Sequence, residues 1–182
     1  HAGDVDDHAA ARLPLHSASQ EITIEALFRL QRAEEAVTKA RAFMTANPTN
    51  YGVAALLGRH YLGARNFLEA ERFLRIAVSG PNPRRAARAQ LALLAVAAGA
   101  RNDAFKLLES EVKDFPGSML ARRMLSRMYG EDQRWLDQKA HAEFIARAAP
   151  EDAIARLNVA QCLFNLTDFL GARKELTVAL AL

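Results

Sequence analysis

The chain has 182 residues, of which 51% are hydrophobic, 25% charged and 7% aromatic, with 24 Lys and Arg against 21 Asp and Glu and a single Cys. That composition excludes a disordered chain, a disulfide-stapled miniprotein and a collagen-like repeat. The net charge of +3 is small and its cations are scattered, which argues against a nucleic-acid binder, whose Lys and Arg gather on one stripe.

In chain order, the stretch 1–16 comes first. It carries Gly3, Pro14 and the acids Asp4, Asp6 and Asp7 with no periodic apolar pattern, and it reads as a flexible leader. His1, Asp4, Asp6, Asp7 and His8 are metal-ligand types, but nothing holds them in place, so no metal site is assigned there. From Ser17 onward apolar residues recur at three- and four-residue spacings in Ala-, Leu- and Arg-rich sequence, the pattern of amphipathic helices. No β-branched run alternates with polar residues, so strands are not expected. Breaks fall at Asn47-Pro48, Gly80-Pro81-Asn82-Pro83, Phe115-Pro116-Gly117-Ser118 and Ala149-Pro150-Glu151-Asp152. Each break also supplies a helix start, through Asn50, Asn82, Ser118 or the Pro150-Glu151-Asp152 stretch.

The spacing of these breaks is the strongest signal. Pro48, Pro116 and Pro150 lie 68 and 34 residues apart, and the missing member is Asn82 between two prolines. Other columns keep the same 34-residue period. Leu57, Leu91, Leu125 and Val159 are aliphatic; Gly58, Ala92, Ser126 and Ala160 are small; Tyr61, Ala95, Tyr129 and Leu163 follow three residues later. In the second half Phe67, Trp135 and Phe169 are aromatic, with Arg101 the exception. Ala36, Ala70, Ala104 and Ala172 repeat as well, with Gln138 the exception.

These columns resemble the tetratricopeptide repeat (TPR) family, best matched from Tyr51 to Arg84 by Leu57-Gly58, Tyr61, Ala70, Leu74 and the closing Pro81-Asn82-Pro83. The resemblance covers about nine tenths of the chain. It implies an all-α, TPR-like right-handed superhelix of about five helix hairpins: 17–50, 51–84, 85–118, 119–152 and an incomplete 153–182. The first repeat is the poorest, with Thr23 and Ile24 where Leu and Gly are usual. The fourth departs at Gln138, with Ala140 and Phe144 displaced by two residues. The small column is expected to meet the Ala column where the helices of a hairpin cross, and the aromatic column to plug the gap between hairpins. The chain begins at His1 and stops in an apolar run, Val178 to Leu182, from which we expect a segment of a longer protein with further helices.

The resemblance further implies that the first helix of each hairpin lines a concave groove. Carried over, the partner-binding positions are Arg59, Leu62, Leu93, Val96, Arg123, Arg127 and Gln161, with Glu21, Glu25 and Phe28 at the first repeat. Such a groove, apolar with guanidinium groups on either side, suits a protein or peptide ligand bearing carboxylates, or another domain of the same protein. The Lys and Asn clamp of TPR domains that hold a C-terminal carboxylate is absent, since those places fall on Ala55, Arg59, Gln90, Leu120 and Met124. A basic ladder, Arg88, Arg122 and Arg156, recurs one period apart and could meet an anionic polymer; the plainer reading lays each stem over the next hairpin and pairs it with an acid such as Asp152.

No phosphate loop, HExxH, zinc-spaced Cys pair or nucleophile elbow is present. His60 and His141 stand apart, and Cys162 sits in an apolar stretch as a packing residue. The sequence therefore predicts a non-catalytic TPR scaffold for protein–protein interaction, with no cofactor and no metal. The alternative is a structural adaptor segment of a bacterial envelope or exopolysaccharide-export assembly. No apolar run reaches the roughly 18 residues of a spanning helix, so no membrane insertion by this segment is expected. One Cys leaves the compartment, cytoplasmic or periplasmic, open.

Overall fold

The computed structural model describes residues 4–81 and 83–182, with side chains from Ser17 onward. Among the described residues there is no strand. The helices are α1 (Asp4–Arg29), α2 (Ala33–Ala46), α3 (Tyr51–Gly63), α4 (Phe67–Ser79), α5 (Ala87–Ala97), α6 (Arg101–Asp114), α7 (Met119–Glu131), α8 (Trp135–Ala148), α9 (Ala153–Asn165) and α10 (Phe169–Leu180). They fall into two compact units, His1–Leu94 and Ala95–Leu182. Where the sequence reads as a leader over 1–16, the backbone of α1 is already helical from Asp4. The His1, Asp4, Asp6, Asp7 and His8 side chains, and Asn82, lie outside the described residues.

Two kinds of turn, alternating along the chain, cut the helices to length. The first helix of each hairpin ends at a residue with left-handed backbone: Gln31, Arg65, Gly99, Gln133 and Thr167, with φ of 59°, 58°, 75°, 57° and 65°. These positions are 34 residues apart throughout. At each the same pair of bonds forms. In the fourth repeat Gln133 N–H donates to Gly130 O (3.1 Å) and Arg134 N–H to Tyr129 O (2.8 Å), and Thr167 and Asp168 do the same to Phe164 O (3.0 Å) and Leu163 O (2.9 Å). This double closure satisfies carbonyls that the helix end would orphan. Only Gly99 adopts the conformation without a Cβ penalty, and Thr167, β-branched, suffers most. Thr167→Gly should therefore raise unfolding stability by about 0.5–1 kcal/mol in urea titrations, and Gly99→Ala should lower it by a similar amount.

The return turns explain the proline period. Asn50 N–H donates to Asn47 O (3.0 Å), Ser118 N–H to Phe115 O (2.9 Å) and Asp152 N–H to Ala149 O (3.0 Å). Pro48, Pro116 and Pro150 are the second residues of these four-residue turns, where a fixed φ is already the one required. The last residue of each turn then caps the next helix. Asn50 Oδ1 accepts from Val53 N–H (2.8 Å) and Asp152 Oδ1 from Ala155 N–H (3.0 Å). Ser118 stands at the same place but makes no cap bond, its hydroxyl donating instead to buried Glu111 (3.2 Å). Asn66 and Asp168 cap second helices in addition.

The columns form the core. Leu57, Leu91, Leu125 and Val159 are all buried, as are Ala36, Ala70, Ala104 and Ala172. In the first repeat the buried residue is Ile24 and Thr23 is exposed, so the departure there is a one-residue shift of the apolar face. Gly58 is the close-approach point of the α3/α4 hairpin. Its nearest neighbour is Leu74, one turn beyond Ala70, and a Cβ on Gly58 would lie 2.7 Å from Leu74 Cγ. Two expectations of the aromatic column fail. Phe67 and Phe169 are more than half exposed, and Trp135 alone is half-buried. Arg101, the exception in that column, reaches from α6 to the end of α7. There it donates to Glu131 (2.7 Å), Asp132 (2.8 Å) and the Met128 carbonyl (2.8 Å). At the α10 end Leu176, Leu180 and Leu182 are exposed.

Candidate functional site

In the second unit α8 packs against both α7 and α9. Above it lies a cleft of about 410 Å³ lined by Arg123, Ser126, Arg127 and Gly130 of α7, Trp135, Gln138 and Ile145 of α8, and Asn158 and Gln161 of α9. Its construction follows from helix period. Arg123, Ser126, Arg127 and Gly130 are spaced at three and four residues and so share one face of α7. Asn158 and Gln161 share one face of α9 in the same way. Ser126, Gln138 and Ile145 are buried and form the floor, while Arg123, Arg127 and Gln161 stand exposed.

The two guanidinium groups differ. Arg123 Nη2 donates to Asp152 Oδ2 at 2.7 Å, tying α7 to the cap of α9. That bond, with the backbone N–H of Ala155 second, holds the Asp152 carboxyl below its ordinary range. Among the described residues Arg127 has only a loose partner, Glu131 at 3.6 Å, on an exposed face, an arrangement of little energy that an incoming carboxylate can displace. Amides from Asn158, Gln161 and Gln138 complete a polar lining around the indole of Trp135, the only tryptophan of the chain.

Of the groove residues expected from sequence, Arg123, Arg127 and Gln161 thus come together. Arg59 lies in the first unit, in a shallower hollow of about 270 Å³ with Phe28, Arg29, Leu56 and His60. The Phe28 and His60 rings stack there at 5.0 Å. Leu62, Leu93 and Val96 are half-buried on α3 and α5. Glu21 is paired with Arg84 (2.5 Å) and Glu25 with Arg29 (2.8 Å). Trp135, Gln138, Ser126, Gly130, Ile145 and Asn158 line the cleft as well, beyond the positions the repeat pattern points to. Gln138 had announced itself as the one break in the Ala column.

The basic ladder is largely engaged by its own surroundings. Arg122 donates to the Pro116 carbonyl (2.6 Å), lies 3.7 Å over the Phe144 ring and sits 3.5 Å from His141 Nδ1. Burial, with Arg147 second, lowers its pKa. Arg156 donates to Glu175 at 3.1 Å; the acid expected for this ladder, Asp152, pairs with Arg123 instead. Arg88 is half-buried on α5. His141 stacks on Tyr129 at 5.6 Å, and burial together with Arg122 depresses its pKa. Tyr129 donates to Glu109 (3.0 Å), and burial first, then that carboxylate, pushes its phenol up to about 12. The Cys162 thiol is fully buried, which pushes it up to about 11 and leaves it protonated at neutral pH. Among the described residues no His, Cys, Asp or Glu group is placed to hold a metal ion, and no helix is long and apolar enough to cross a membrane.

The α-hairpins and their repeating turns define a TPR fold, and solved structures agree. A crystal structure of MamA matches with a TM-score of 0.72 at 14% identity, over 91% of this chain and 90% of that one. YrrB, described as a TPR protein with an unusual peptide-binding site, matches with a TM-score of 0.72 at 13% identity, over 99% of this chain and 93% of that one. PilF of Pseudomonas aeruginosa matches with a TM-score of 0.70 at 13% identity, over 91% and 75%. Identities this low show a common fold. No family model matches the sequence, and neither does any curated protein.

Proposed function

We propose that this chain is a non-catalytic scaffold that captures a protein or peptide partner through the concave faces of its first helices, with the α7/α8/α9 cleft as the principal contact. The observation that carries this reading is the cleft itself, where two guanidinium groups, three amides and an indole converge. Clefts with a few convergent polar groups are the usual form of a binding site, and Arg presents a planar fork that matches a carboxylate. YrrB, of the same fold, is described as having a peptide-binding site. The second reading, an envelope or export adaptor touching an anionic polymer through Arg88, Arg122 and Arg156, has less behind it. Arg122 and Arg156 are taken up by local contacts.

The test is charge reversal. Arg59→Glu, Arg123→Glu and Arg127→Glu together should abolish retention of acidic peptides on an immobilised peptide array while the far-ultraviolet helix signal stays intact. Retention unchanged by the triple substitution would overturn the reading.

A further inference from the structure

The fourth repeat carries a paired exchange that nothing in a plain scaffold requires. One period apart along the first helices stand Phe28, Leu62, Val96, Gly130 and Phe164, so a bulky apolar residue is replaced once, by glycine. Along the second helices stand Ala36, Ala70, Ala104, Gln138 and Ala172, so alanine is replaced once, by glutamine, in the same repeat. The two changes touch. A Cβ on Gly130 would lie 2.9 Å from Gln138 Nε2 and 3.0 Å from its Cδ and Oε1. Gln138 therefore occupies space that any larger residue at 130 would need. Volume is kept while an apolar side chain is exchanged for an amide.

For stability alone that is a poor exchange. Gln138 is 6% exposed, and its Oε1 is buried with no hydrogen-bond partner among the described residues. An unmet buried acceptor is costly. Alanine, which serves the other repeats, would avoid the cost. Gln138 lines the same cleft as Arg127, and the terminal torsion of a glutamine is soft, so a donor entering the cleft can draw the buried Oε1 towards itself. A helical ligand has its backbone donors already satisfied along its length, whereas an extended one offers free N–H groups.

We propose that the Gly130 and Gln138 exchange makes this cleft a specificity site for an extended acidic peptide, in which Arg127 takes the carboxylate of an Asp or Glu side chain and Gln138 Oε1 accepts a neighbouring backbone N–H. The inference rests on the peptide-binding reading above and adds to it the ligand's conformation and the atom that reads it.

The experiment uses Trp135 fluorescence of the full chain and a pool of acetylated, amidated pentapeptides with a central Asp or Glu. It is run beside the same pool N-methylated at the residue following the acid. The wild type should bind the unmethylated pool about tenfold more tightly, the effect of one hydrogen bond to a buried acceptor. Gly130→Val with Gln138→Ala, which restores the pairing of the other repeats, should bind both pools equally and remain folded. Gln138→Met, which keeps the volume and loses the acceptor, should do the same. A wild type that binds both pools equally, or a variant that keeps the preference, overturns the inference and leaves the peptide-binding reading standing. No response of the wild type to either pool overturns that reading and this inference together.

Discussion

Replacing Leu74 with Ala should lower unfolding stability by about 2–5 kcal/mol, towards the upper part of that range, read from denaturant titrations followed by far-ultraviolet circular dichroism. Leu74 is fully buried in α4, so the substitution loses the transfer free energy of its removed atoms and leaves a cavity. The cost of the cavity depends on whether the surroundings can collapse into it, and here the facing residue is Gly58, which has no side chain to move. The same geometry gives a second result. Gly58→Ala alone should destabilise, because its Cβ would stand 2.7 Å from Leu74 Cγ and 2.8 Å from Cδ2. In the Leu74→Ala background it should instead recover part of the loss, since the new methyl then enters vacated space. The two substitutions must therefore be non-additive, as residues in contact are. Additive effects would mean that the hairpin does not cross at Gly58.

That crossing shows what the sequence makes legible. A period carried by Pro, Ala and small residues reports helix spacing directly, because each of those residue types answers to one backbone requirement. Pro48, Pro116 and Pro150 fix the second residue of a turn, and Ala36, Ala70, Ala104 and Ala172 fill positions buried from solvent. The left-handed residues were invisible for the opposite reason. Gln31, Arg65, Gln133 and Thr167 are not the residues that conformation favours, and it is imposed by the two hydrogen bonds that close each helix. The site was legible in part. Arg123, Arg127 and Gln161 were reachable from position in the repeat, but their partners were not. That Arg123 meets Asp152, and Arg156 meets Glu175, depends on which long side chain reaches which neighbour. Gln138 was visible as an exception, yet a column cannot say whether an exception is strain, cap or site. Its contact with Gly130 and its unmet oxygen are what make a site the reading to test.

Asp152 joins stability to binding, and two substitutions separate its roles. Asp152→Ala removes the cap of α9 and the partner of Arg123 together, and should cost about 1–2 kcal/mol. Asp152→Asn keeps an oxygen for the Ala155 N–H and discards the charge, so it should cost about 0.5 kcal/mol, as expected of an exposed pair. Their pH dependence is fixed by sign. The folded carboxyl is held below its ordinary value by Arg123, so its charge stabilises the fold above the unfolded value, about 3.9, and that contribution disappears as pH falls through the folded value. The gap between wild type and Asp152→Asn should accordingly be full at neutral pH and close below about pH 4. For the cleft the same substitution acts in the other direction. With Asp152 neutral, Arg123 no longer has a built-in carboxylate and becomes available to the ligand's, so Asp152→Asn should bind acidic pentapeptides more tightly than the wild type while being less stable. Weaker binding would mean that the ion pair serves to hold α7 and α9 at the separation a ligand needs, and that Arg127 alone receives the acid.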